Sequence, residues 1–184
     1  MNNKDLTSLF RQIKRLPNYS LNRENLLTEA SNISSTNLHN LSTLELVSLF
    51  SKEDIQPQIA VSKSIKDISK AIDLITIKLQ QAGRLFYIGA GTSGRIGVLD
   101  ASECPPTFNT PPDLVQGIIA GGYQSLYKSS EVLEDNKNLS IDDLIQNNFN
   151  SKDCHVGISA GGTTPYVHSA LSYSKSLGSL SIFI

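Results

Sequence analysis

Apolar and polar positions alternate along the chain in two different periods, and the change of period divides it. Near the start, residues 4–16 carry a mixed pattern that predicts a short helix. Residues 17–40, rich in Asn, Ser and Thr, read as a loop or an arm. Ser42-Thr43-Leu44-Glu45 has capping-box spacing and predicts a helix from about Thr43 to Lys52. Val61, Ile65, Ile68, Ile72, Ile75 and Leu79 then recur at steps of four and three, which puts them on one face of a helix. Ala82-Gly83 supplies its stop. Beyond it come four short apolar runs: Arg84–Ile88, Leu114–Ala120, Cys154–Ser159 and Leu180–Ile184. Each reads as a buried parallel strand. Helical patterns near Arg95–Ala101, Gln124–Leu133, Ile141–Asn147 and Pro165–Leu177 lie between them. The alternation predicts βαβ units and an α/β doubly wound parallel sheet, with ligands taken up outside the carboxyl ends of its strands. The last run has no helical pattern after it, so the sheet is expected to be incomplete at its C-terminal side.

Composition narrows the function without supplying one. Of 184 residues, 39% are hydrophobic and 18% charged, the balance of a folded globular chain. A net charge of −1 offers no footprint for nucleic acid or an anionic membrane, so an anionic ligand needs a local site. No apolar run approaches the roughly 20 residues that span a bilayer, and no secretory leader is apparent. Two widely spaced cysteines, Cys104 and Cys154, suggest neither a disulfide scaffold nor a metal site, and a cytoplasmic location is expected. His39, His155 and His168 have no spacing that suggests a metal or a triad and read as incidental. Cys104 has no neighbouring base, which favours packing over nucleophilic chemistry.

Candidate chemistry begins at the first strand. Gly89-Ala90-Gly91-Thr92-Ser93-Gly94 has the form G-x-G-x-x-G between a strand and a helix. A dinucleotide reading needs an acid at the end of the second strand, where Ala120-Gly121-Gly122 stands instead. A P-loop reading needs a Gly-Lys-Ser/Thr that is absent. What remains is a glycine turn with two hydroxyls at a helix N-terminus, suited to a compact phosphate monoester. A tight turn without a ligand is the alternative. Ser159-Ala160-Gly161-Gly162-Thr163-Thr164-Pro165 repeats the design after the third strand. Two such loops favour a sugar-phosphate site, with Gly91, Thr92, Ser93, Gly94, Ser159, Thr163 and Thr164 as its candidate phosphate-binding positions.

The run Gly83–Arg95, continued by Leu99-Asp100-Ala101-Ser102-Glu103-Cys104-Pro105-Pro106-Thr107-Phe108, resembles the signature of the N-acetylmuramic acid 6-phosphate etherases. Further similarity lies in Thr28-Glu29, Ser42–Glu45, Ile118–Gly122, Glu134-Asp135 and Thr164–Val167. It covers the chain from about residue 28 onward, leaving residues 1–27 as an extension. The resemblance implies a flavodoxin-like sugar isomerase (SIS) domain over 55–184, preceded by an N-terminal extension and helical arm over 1–54. It also implies a cofactor-free, homodimeric lyase. Such an enzyme cleaves the D-lactyl ether of N-acetylmuramic acid 6-phosphate to N-acetylglucosamine 6-phosphate and D-lactate, in cell-wall amino-sugar recycling.

In that family Glu103 corresponds to the proton donor and Glu134 to the second catalytic glutamate, the base. Read from the residues alone, Glu103 before two prolines could be a loop acid, and Glu134 beside Asp135 a solvated helix end. Arg95 could meet the phosphate or Asp100, and a structural role is favoured. Two positions depart from the family: Gly161 stands where it has a serine, and Thr163 where it has a cation. Because SIS domains also act as sensors, a glucokinase regulator among them, a non-catalytic sugar-phosphate-binding module or an inactive fragment is the alternative.

Overall fold

The computed structural model of the chain describes residues 26–129 and 131–184, so the helix expected over 4–16 and the first part of the 17–40 loop lie outside the described residues. Two compact units are separable, one ending at Asp73 and the other running from Leu74 to Ile184.

In the first unit three single 3₁₀ turns precede helix α1 (Thr43–Glu53). The expected capping box forms: the Ser42 hydroxyl accepts from the Glu45 amide, and the Glu45 carboxylate accepts from the Ser42 amide at 2.8 Å. Helix α2 (Ile55–Lys63) follows, and α3 (Ile65–Gln80) begins in this unit and ends in the second, to which its residues from Leu74 on belong. The single helical face expected from Val61 to Leu79 is therefore interrupted. At Ser64 the amide bonds Val61, three residues back, and the winding tightens there before α3 resumes. The helix stop falls at Ala82, which takes the left-handed conformation (φ 61), and the Gly83 amide closes back on the Lys78 carbonyl at 3.0 Å.

The second unit holds four parallel strands, β1 (Leu85–Gly89), β2 (Val115–Ile119), β3 (Cys154–Ile158) and β4 (Leu180–Phe183), in the order β2-β1-β3-β4. Helix α4 (Gly91–Phe108) connects β1 to β2, α5 (Lys137–Gln146) precedes β3, and α6 (Pro165–Ser176) connects β3 to β4. Alternate strand residues feed two cores. Phe86, Ile88 and Ile118 pack with Leu144 of α5 and with Tyr166, Val167 and Ala170 of α6. On the opposite face Leu85, Cys154 and Val156 pack with Ile75 and Leu79 of α3. Helices thus cover both faces, as the alternating pattern predicted, and the sheet is doubly wound. Strand order reverses between β1 and β3, which makes their carboxyl ends the switch point where such sheets hold ligands.

Two helical expectations need correction. The pattern at Arg95–Ala101 belongs to a much longer helix, α4, which continues through Pro105 and Pro106. Neither proline can donate to the carbonyl four residues back, so the ladder loses two bonds in its last turn, which Asn109 closes at φ 54 by donating to the Pro105 carbonyl at 2.9 Å. The pattern at Gln124–Leu133 is not an α-helix. Separate 3₁₀ turns, Gly122–Leu126 and Glu131–Asp135, occupy that stretch. At the end of the first, the Leu126 carbonyl accepts from Arg95 Nε at 2.9 Å.

Candidate functional site

The first glycine loop is built by close backbone approach. β1 ends at Gly89 and α4 starts at Gly91. A Cβ on Gly94 would lie 2.6 Å from the Gly89 carbonyl oxygen, and one on Gly89 would lie 2.6 Å from the Gly94 nitrogen. Only glycine lets the helix start this near the strand end. Replacing Gly94 by Ala is expected to push α4 off β1, lowering stability by about 1–3 kcal/mol and weakening phosphate binding. Thermal unfolding and a phosphate titration of the variant would check both.

Ala90, the N-cap, offers no side-chain cap to the first turn of α4. The Thr92 and Ser93 hydroxyls have no hydrogen-bond partner among the described residues, Thr92 being exposed and Ser93 half-buried. Uncapped amides, two unengaged hydroxyls and the positive end of an 18-residue helix give this loop the donors an anion needs.

The second loop follows β3. Ser159 is buried, and its hydroxyl lies 2.9 Å from that of Thr164. The Gly162 amide returns to the Ser159 carbonyl at 3.0 Å, with Gly162 itself at φ 68, a turn that suits glycine. Thr164 is the N-cap of α6 but makes no side-chain capping bond, and Pro165 opens the helix. Because Gly89 pairs with Ile158 across β1 and β3, the two loops leave neighbouring strands at the same level. All seven candidate phosphate positions therefore stand at the switch point.

The candidate glutamates are placed differently. Glu103 lies on α4 itself, not in a loop beyond it. It stands twelve positions beyond Gly91, about 18 Å at the rise of an α-helix. Since α4 returns the chain from the carboxyl end of β1 to the start of parallel β2, Glu103 is carried away from the loops of its own chain. It is exposed and has no hydrogen-bond or ion-pair partner among the described residues. Glu134 is half-buried in the 3₁₀ turn Glu131–Asp135, which packs against α6.

Other titratable groups sort by their surroundings. Arg95 ties α4 to the turn after β2 through the Leu126 carbonyl, the structural role favoured from sequence. Burial pushes His155 down to about 3, and its Nδ1 meets the Ser174 hydroxyl at 2.9 Å, as in a core histidine. Burial raises the Cys104 thiol, which donates to the Asp100 carbonyl within α4. His168 is not incidental: its Nε2 lies 2.7 Å from the Gly162 carbonyl of the second loop. The signal available in the sequence was its place in the first turn of the helix that this loop opens. Among the described residues no group of three His, Cys, Asp or Glu side chains could hold a metal ion. No helix among them is long and apolar enough to cross a membrane.

A doubly wound sheet with hydroxyl-glycine loops at its switch point defines an α/β protein of the SIS class. The chain belongs to the family described as the glucokinase regulatory protein N-terminal SIS domain, which matches residues 67–175. It is 57% identical over 173 residues to an N-acetylmuramic acid 6-phosphate etherase of Prochlorococcus marinus, covering 92% of this chain and 56% of that protein. It is 55% identical over 163 residues to the protein of the same name from Parasynechococcus marenigrum, covering 89% and 52%. The chain thus spans about half the length of the curated relatives it matches. Phosphoheptose isomerase GmhA from Neisseria gonorrhoeae is similar in fold, with a TM-score of 0.61 at 18% identity over 77% of this chain and 74% of that one.

Proposed function

We propose that the chain carries the sugar-phosphate-binding part of a cytoplasmic N-acetylmuramic acid 6-phosphate etherase serving cell-wall amino-sugar recycling. The observation that carries this reading is the pair of loops on adjacent strands β1 and β3, each opening a helix whose N-terminus lacks a side-chain cap. The name shared by the relatives above supplies the substrate.

An ether oxygen on a sugar leaves poorly, so the reaction proceeds by elimination from the open-chain aldehyde. Glu134, as carboxylate, takes the proton from carbon 2, which the aldehyde acidifies. The carbon 3–oxygen bond breaks and Glu103 protonates the departing lactate oxygen. Water then adds at carbon 3, losing its proton to Glu103 while Glu134 returns one to carbon 2, giving N-acetylglucosamine 6-phosphate. Acid–base chemistry between two carboxyl groups accounts for every proton in this scheme.

The active unit in this reading is a homodimer, in which Glu103 of one chain serves the loops of its partner. The length of α4 supports it, and so does the side of α4 that carries Thr92, Ile96, Leu99 and Glu103 within one narrow stripe. Ile96 and Leu99 are 56% and 62% exposed, apolar area suited to burial against a second copy.

Incubation with N-acetylmuramic acid 6-phosphate is expected to release D-lactate, read by a D-lactate dehydrogenase assay. Thermal stabilisation by the substrate without lactate release would instead identify a binding module. Such an outcome would fit the second loop, where Gly161 has no hydroxyl and Thr163 no charge to offer a phosphate.

A further inference from the structure

We propose that His168 is a positioning residue for the second loop, a latch that fixes which edge of the Gly162–Thr163 peptide faces the ligand. The inference rests on the phosphate-site reading of that loop. A carbonyl oxygen can only accept, so the 2.7 Å contact requires the hydrogen on His168 Nε2. The imidazole is itself backed by Phe183 of β4, with ring centroids 5.4 Å apart. Phe183 also stands beside the turn, 4.0 Å from where a Cβ on Gly162 would be. Latch and backing therefore lie on the β4 side of the loop, whereas the switch point lies on its β1 side.

In a trans peptide the C=O and N–H point in opposite directions. Holding the Gly162 carbonyl toward His168 thus turns the Thr163 amide toward β1 and the first loop. Gly162, at φ 68, has the backbone freedom to let this peptide flip. In the flipped state a carbonyl would confront the phosphate where the latched state presents an amide. In a loop whose residue 163 brings no charge, that orientation matters more than it would beside a cation.

The test is an amide-resolved NMR titration of the folded chain with inorganic phosphate, on wild type and three variants. His168→Gln keeps an N–H donor, His168→Phe keeps the ring against Phe183 without the donor, and His168→Ala removes both. Wild type and His168→Gln are expected to bind alike, with the Thr163 amide resonance moving. His168→Phe and His168→Ala should each bind about tenfold more weakly. Unchanged affinity in His168→Ala, or a His168→Gln as weak as Ala, overturns the latch while leaving the phosphate site standing. Absence of any phosphate response in wild type overturns the latch together with the site reading beneath it.

Discussion

Glu103→Gln is expected to lower D-lactate release from N-acetylmuramic acid 6-phosphate by about 10²–10⁴-fold, the usual contribution of a positioned general acid. That corresponds to roughly 2.7–5.5 kcal/mol in the barrier. Glutamine keeps the size and polarity of the side chain but cannot protonate the departing lactate oxygen. Binding of N-acetylglucosamine 6-phosphate should persist, because the loop proposed to hold the phosphate lies at the other end of α4. The exposed setting of Glu103 predicts little effect on folding.

The same variant tests whether the site is shared between chains. Mixed with a Thr92→Val/Ser93→Ala double variant under conditions that allow subunits to exchange, it should regain part of the lost activity. A mixed dimer pairs the intact loops of one chain with the intact Glu103 of the other. Near-normal activity of Glu103→Gln alone would sink its assignment as the acid. An inactive mixture of chains shown to exchange would leave the acid in place and remove the shared site.

Asp153→Asn should destabilise the chain by about 3–5 kcal/mol, the cost of taking one partner from a buried pair. In a domain of this size the shift in unfolding temperature is on the order of 10 °C. Asp153 is 1% exposed and stands just before β3, facing Arg84 just before β1. One carboxylate oxygen accepts from the Arg84 amide at 2.9 Å and from Nε at 3.1 Å, and the other from Nη2 at 2.8 Å. The second oxygen also takes the amide and the side chain of Asn150, both at 3.0 Å. The guanidinium further caps the Asn147 and Asn148 carbonyls and lies 4.8 Å above the Phe86 ring.

An asparagine has no negative charge to offer, and its amide nitrogen would confront donors on one side. The clamp matters to the site because it joins β1 and β3 at their amino ends, where the Cys154 amide meets the Arg84 carbonyl at 2.8 Å. The same register, followed along both strands, sets Gly89 opposite Ile158 and the two loops side by side. Equilibrium unfolding in urea measures the loss. A change below about 1 kcal/mol would mean that the clamp is dispensable.

Much of this fold is legible in one dimension because its signals are local. Period-two and period-3.6 apolar patterns, the Ser42–Glu45 box and the glycines after β1 and β3 each report on residues within a few positions of one another. Less local features mislead. The stretch Gln124–Leu133 carries helical spacing, yet it forms separate 3₁₀ turns whose Leu126 carbonyl meets Arg95, about thirty positions earlier. The helix after the first loop reads too short in sequence because two prolines normally mark an end. Here the helix runs on through both to Phe108, and Asn109 closes it in the left-handed conformation. Histidine spacing likewise conceals His168, whose partner is a backbone carbonyl and not another side chain.

By itself the sequence determined the strand–helix alternation, the two hydroxyl-glycine loops and the absence of a dinucleotide acid after β2. These depend on residue type and short-range spacing, which physical chemistry reads without coordinates. Only the tertiary structure decided that β1 and β3 are neighbours, so that loops some seventy positions apart leave adjacent strands at the same level. It also decided that Glu103 rides α4 away from the loop it follows so closely in sequence. Strand order and helix direction arise from the burial of two sheet faces at once. That energy belongs to long-range packing, which no local window of residues contains.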